Sequence, residues 1–196
     1  MPFTLIFVIT LTLIFILDTF ICVPKSTRIF TKAHILDGDK VGYITNALKL
    51  DYQRIKKGQL WRLFSQVFLH VGLLHLISNC AAMLIVGYAL ETTVGTLKTA
   101  LCFFFSALCS GLFMAFGLKF EDGEGASTGI YGLIAMFIFV AVKKHTVFFS
   151  DLHIVFLILL AIYTVVGMLL NKIDRREHST GFLGGIIFSL TVLGGI

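Results

Sequence analysis

Ser127 stands in the run Gly125-Ala126-Ser127-Thr128-Gly129, which satisfies the G-x-S-x-G pattern of a serine nucleophile carried on a sharp turn. A serine hydroxyl attacks a carbonyl only when a base stands beside it, and imidazole is the side chain whose ordinary pKa suits that task near neutral pH. His178 opens a hydrophobic run, with Gly181 and Gly185 behind it. His75 and Asn79 are four residues apart and share one helical face, and both can donate hydrogen bonds to a developing oxyanion. Acting together, these residue types could perform acyl transfer.

Each has a plainer reading. Gly125 and Gly129 also form a G-x-x-x-G signal for close helix packing. The same glycines could cradle a phosphate, but no lysine follows as a P-loop requires. His178, beside Arg175, Arg176 and Glu177, could be a wet loop histidine. His75 and Asn79 could form an interhelical hydrogen bond, or could join His70 and His178 around a metal. The metal reading is the weaker one, since no H-E-x-x-H occurs and the nearest carboxylates, Glu124 and Glu177, sit in loops. His70 reads as structural.

The elements that must position these residues are membrane helices. Of the 196 residues 57% are hydrophobic and 14% charged, with a mean hydropathy of +0.94, outside the range of soluble domains. A span needs about 20 apolar residues. Six such runs are expected, at about 3–22, 72–90, 98–117, 127–142, 152–170 and 179–196. The fold class is therefore all-α and polytopic, with residues 1–196 forming one domain and residues 23–71 a long first connection. The first span has no basic residue before it and no small-residue cleavage site after it, so it is expected to be retained. Cys22, Cys80, Cys102 and Cys109 lie in or beside spans and are expected to be reduced packing residues.

The formal charge of +5 comes largely from the first connection, which reads as a surface segment near lipid headgroups. Aromatic residues are not interleaved there as a nucleic-acid platform would need. Loop charge does not set orientation: with a cytoplasmic N-terminus, only Lys98, Lys143 and Lys144 fall inside.

In an up-and-down bundle, spans two, four and six enter from the same side. The polar starts "HVGLLHLISN", "GASTGIY" and "EHSTGFLGG" then meet at one depth. The small faces of spans four and six, Gly125, Gly129 and Gly132 against Gly181 and Gly185, are expected to bring Ser127 to His178. Tyr131, one turn after Ser127, could stack on the imidazole. No carboxylate is placed to orient His178, which favours a dyad over a triad.

Trp61-Arg62, "HVGLLHLISN", "GASTGIYG" and "HSTGFLGG", in this order and in these spans, resemble the rhomboid family of intramembrane serine proteases. The resemblance covers Trp61 to the C-terminus. It implies Ser127 as nucleophile and His178 as base, with an oxyanion hole formed by His75, Asn79 and the Ser127 N–H. It further implies Tyr131 supporting His178, glycine contacts at Gly181 and Gly185, and Glu91 as a structural residue.

The resemblance also implies a six-helix core of bacterial type in a plasma membrane, a site opening to the exterior, single-span membrane proteins as substrates and no cofactor. Two departures stand out: Thr128 where many members have glycine, and Gln66 where some have histidine, the latter expected to touch only a peripheral contact. Two rival readings are a non-catalytic member that binds membrane segments and a small channel with a histidine proton path.

Overall fold

The computed structural model describes residues 2–21, 42–70, 72–120, 122–144 and 175–194. The fifth expected span, Cys22, His145 and His153 lie outside the described residues.

Among the described residues, three helices are long and apolar enough to cross a membrane: α1 (Pro2–Phe20), α5 (Leu73–Val94) and α6 (Thr96–Gly117). Two more follow, the apolar α7 (Ser127–Lys144) and α8 (Arg175–Val192). Among the described residues the only β-pairing is one isolated bridge, Leu50 to Gly123. The chain is an all-α, multi-pass membrane protein. α1 shows the solvent it was built for: Phe7, Leu11 and Phe15 are buried, while Leu5, Ile6, Ile9 and Leu13 are exposed. Water would penalise that outer face, and hydrocarbon does not.

The boundaries differ from expectation in one place that matters. α8 is already helical at Arg175, where the described residues resume, four residues before the expected span, so His178 lies inside the helix. A helix does not stop at the hydrocarbon edge, because ending it there would leave its terminal N–H groups unsatisfied in a nonpolar setting.

The described part of the first connection holds three short helices, α2 (Tyr43–Leu48), α3 (Tyr52–Lys56) and α4 (Arg62–Ser65). Asp18, at the end of α1, accepts from the N–H groups of Ile44 (2.8 Å) and Thr45 (3.1 Å) and from the Thr45 hydroxyl. That carboxylate satisfies the free donors at the start of α2.

Arg62 is buried to 2% exposure, and its guanidinium donates to Lys49 O (2.7 Å), Asn46 O (3.3 Å) and Gln59 Oε1 (2.8 Å). Trp61 beside it is half exposed. The arginine ties the segment to itself, and the tryptophan faces the interface.

Glu91 has a partner that spacing did not reveal. It accepts from the N–H groups of Thr4 (2.8 Å) and Phe3 (3.3 Å), and so caps the first turn of α1.

One packed core holds the bundle. Phe7, Phe103 and Ile130 are buried in a single cluster, with Phe7 and Phe103 at 4.6 Å between ring centroids. A second cluster, Leu50, Ile55, Leu63, Met114 and Ala115, seats the first connection against α6.

Candidate active site

Ser127 is the first residue of α7 and is buried to 7% exposure. At that position the backbone N–H groups are free of intrahelical partners and the helix dipole is positive.

The loop that delivers Ser127 is pinned from the side. Leu50 N–H donates to Gly123 O (2.8 Å), Gly123 N–H to Leu50 O (3.3 Å) and Tyr52 N–H to Phe120 O (3.0 Å). Gly125 N–H donates to Gln66 O (3.0 Å), and Lys49 pairs with Asp122. The acids and glycines before Ser127 therefore form a loop that is hydrogen-bonded to the first connection. Gln66 is buried to 2% exposure and bonds the loop through its backbone carbonyl, while its side-chain amide donates to Leu63 O (3.2 Å).

Gly125 has φ +128°, a conformation that favours glycine. A Cβ there would stand 2.9 Å from His75 Cε1, 3.1 Å from His75 Nε2 and 3.6 Å from Ser127 Oγ. A side chain at this position would crowd both the imidazole of α5 and the hydroxyl of α7.

His178, 8% exposed, sits with its ring centroid 4.7 Å from that of Tyr131 at an interplanar angle of 73°. Edge-to-face contact of this kind orients a ring. Tyr131 is one turn beyond Ser127 on the same helix. The close approach comes from Gly181 and Gly185: a Cβ on the first would strike the Thr128 carbonyl oxygen, and on the second the Gly132 carbonyl oxygen. Both contacts advance in the same chain direction, so α7 and α8 run parallel, and the start of α8 lies beside the start of α7.

Gly125 and Gly129 do not share that face. The nearest neighbours of Gly125 are on His75, and a Cβ on Gly129 would meet the Phe103 ring. The i,i+4 spacing of two glycines shows that a helix has a small stripe, but not which neighbour fills it.

Ser110 and Thr180 add a contact that no motif or spacing singles out. Ser110 Oγ donates to Glu177 O (2.9 Å), and Thr180 Oγ1 donates to Ser110 Oγ (3.1 Å). Those bonds fasten the turn of α8 that carries His178 to α6.

On α5, Asn79 is buried and its amide lies 2.9 Å from His70 Nε2. The rings of His70 and His75 are 5.1 Å apart, edge to face. Burial, with His75 alongside, holds His70 well below the usual imidazole range, so its ring is neutral. Among the described residues no group of three or more His, Cys, Asp or Glu side chains could hold a metal ion.

Comparison with known proteins places the chain among relatives of one family. The chain is 27% identical over 88% of its length to RHOMBOID-like protein 6, mitochondrial, of Arabidopsis thaliana, covering 58% of that protein. It is 28% identical over 71% of its length to Rhomboid protease GluP of Bacillus subtilis, covering 27% of it. It is 33% identical over 71% of its length to Rhomboid-like protease 1 of Toxoplasma gondii, covering 48% of it. The chain thus spans from about a quarter to three-fifths of the length of these relatives. A family model described as "Rhomboid domain" matches residues 57–195, well over half of the chain, and the chain accordingly belongs to the rhomboid family.

Proposed function

We propose that the protein is an intramembrane serine endopeptidase in which Ser127 and His178 form the catalytic dyad. The observation that carries this reading is the contact between Tyr131 and His178, 4.7 Å between centroids, which holds an imidazole over the turn of α7 that Ser127 begins. Ser127 Oγ attacks the scissile carbonyl and His178 takes its proton. The tetrahedral oxyanion receives hydrogen bonds from the Ser127 N–H, His75 and Asn79. His178 then protonates the leaving amine. Water attacks the acyl-enzyme, gives a proton to His178, and the released serine regains it.

The substrates on this reading are single-span membrane proteins whose helix unwinds at a small residue such as alanine, since a helical carbonyl is already hydrogen-bonded. The protein would lie in a plasma membrane with the Ser127 side facing the exterior. A membrane-impermeant thiol reagent on an Asp122→Cys variant in whole cells tests that placement, and labelling only after the membrane is opened would overturn it.

The activity test uses purified protein and a labelled single-span substrate. Wild type is expected to cut it, while Ser127→Ala and His178→Ala are expected to be inactive. A fluorophosphonate is expected to label the wild type and not Ser127→Ala. Substrate bound by the wild type but never cut would favour a non-catalytic member that escorts membrane segments, and loss of cleavage in EDTA would revive a metal mechanism.

A further inference from the structure

The amide nitrogen of Asn79, Nδ2, lies 2.9 Å from Nε2 of His70, and turning the amide by 180° exchanges its nitrogen and oxygen, so two arrangements of this pair are to be weighed. In one, the Asn79 NH₂ donates to a bare Nε2, which requires the proton of the neutral ring to sit on Nδ1. In the other, the amide is turned by 180°, so that Nε2–H donates to the Asn79 carbonyl oxygen and Nδ1 carries only a lone pair.

The surroundings choose between them. His70 Nδ1 is buried and has no hydrogen-bond partner among the described residues. A proton on Nδ1 would make it a buried N–H with no acceptor, a rare and costly situation, whereas an unmatched lone pair costs less. The first arrangement also occupies one of the two amide hydrogens on His70. The second turns the oxygen to His70 and leaves both hydrogens pointing elsewhere.

We infer that His70 is a positioning residue: protonated on Nε2, it holds the carbonyl of Asn79 and thereby aims the Asn79 NH₂ at the oxyanion formed on attack by Ser127. The same ring packs edge to face on His75, whose Nε2, like Ser127 Oγ, lies within 4 Å of the Cβ position of Gly125. One neutral imidazole thus orients both side-chain donors of the oxyanion hole, through a hydrogen bond to one and a ring contact to the other. Without it the amide could rotate, presenting an oxygen where a donor is needed. This inference rests on the proposed protease reading for its purpose, but not for its geometry.

Two measurements test it. In full-length protein with ¹³C,¹⁵N-labelled histidine in lipid, the His70 ring, assigned through its backbone connection to Leu69, is expected to be neutral and protonated on Nε2. A proton on Nδ1, or on both nitrogens, near neutral pH overturns the inference, and this readout stands even if no substrate is ever cut.

In kinetics, His70→Phe keeps the ring volume and removes the donor. It is expected to lower kcat about 100-fold, as loss of one oxyanion donor does, with KM changed by less than about twofold. Asn79→Ala is expected to cost the same, and the double variant no more than either alone. Multiplicative losses in the double variant overturn the inference. His70→Gln retains a donor and is expected to recover about tenfold of the loss, which also covers the case of His70→Phe failing to fold. Equal activity of the Gln and Phe variants, at equal thermal stability, counts against the inference.

Discussion

The rings of Tyr131 and His178 meet edge to face at 4.7 Å between centroids and 73° between planes, and this contact joins α7 to α8 one turn beyond Ser127. It sets the first prediction. Tyr131→Phe preserves the ring contact and is expected to keep cleavage within about threefold of wild type. Tyr131→Ala gives up an aromatic contact of about 0.5–1.5 kcal/mol and lets the imidazole move, for an expected loss of about tenfold or more in kcat. The check is a rate comparison at matched thermal stability, with equal rates for the two variants as the contrary result.

Helix contact should be exacting at two glycines. Cβ atoms at Gly181 and Gly185 would collide with the carbonyl oxygens of Thr128 and Gly132, which are backbone and cannot swing aside. Alanine at either site is expected to cost about 1–3 kcal/mol of stability, as overpacking does, and to slow fluorophosphonate labelling of Ser127. Gly95 has nothing within 4 Å of its Cβ position but has φ +93°, so Gly95→Ala separates backbone strain from helix separation. It is expected to lower the unfolding temperature without slowing the labelling per folded molecule.

Glu124 should make stability depend on pH. Burial, reinforced by Asp122 and Asp18 and opposed by Lys49, pushes its carboxyl from the ordinary 4.5 up to about 7, and Oε2 is buried without a hydrogen-bond partner among the described residues. A carboxyl whose folded pKa lies above its unfolded one favours the folded state while protonated. Its contribution is full below pH 4.5 and is lost as pH rises from there through about 7. The unfolding temperature of the wild type is expected to fall from pH 5 to pH 8, and Glu124→Gln to flatten that part of the curve. Parallel curves for the two proteins would rule the carboxyl out as the cause.

Arg62 should not be replaceable by lysine. Its planar guanidinium reaches two backbone carbonyls and Gln59 at once, and an ammonium cannot satisfy that fan of acceptors. Arg62→Lys is expected to destabilise by about 1–3 kcal/mol through buried acceptors left unmatched, and to loosen the loop before Ser127 through Leu50 and Gly123. Trp61→Phe, at a half-exposed ring, is expected to change the unfolding temperature little. Thermal unfolding in one detergent compares the two variants.

The membrane class and, among the described residues, the approximate positions of the helices were legible along the chain, because they depend on local quantities: apolar run length, i,i+4 spacing and side-chain chemistry. Span parity even brought the starts of spans two, four and six to one side. What lay beyond reach were contacts between elements distant in the chain. Glu91 caps α1 across more than eighty residues, Gln66 bonds the loop before Ser127, and Ser110 fastens the turn that carries His178. Nothing in the neighbourhood of those residues announces such partners.

The glycines show the division most clearly. Their spacing in α7 and α8 determined, by itself, that both helices have small faces able to pack closely. Only the tertiary structure decided that Gly181 and Gly185 meet the backbone of α7 while Gly125 opens toward His75 and Gly129 admits the ring of Phe103. Periodicity fixes an angle around one helix axis, whereas the rotation of that helix among its neighbours follows from packing every face of the bundle at once.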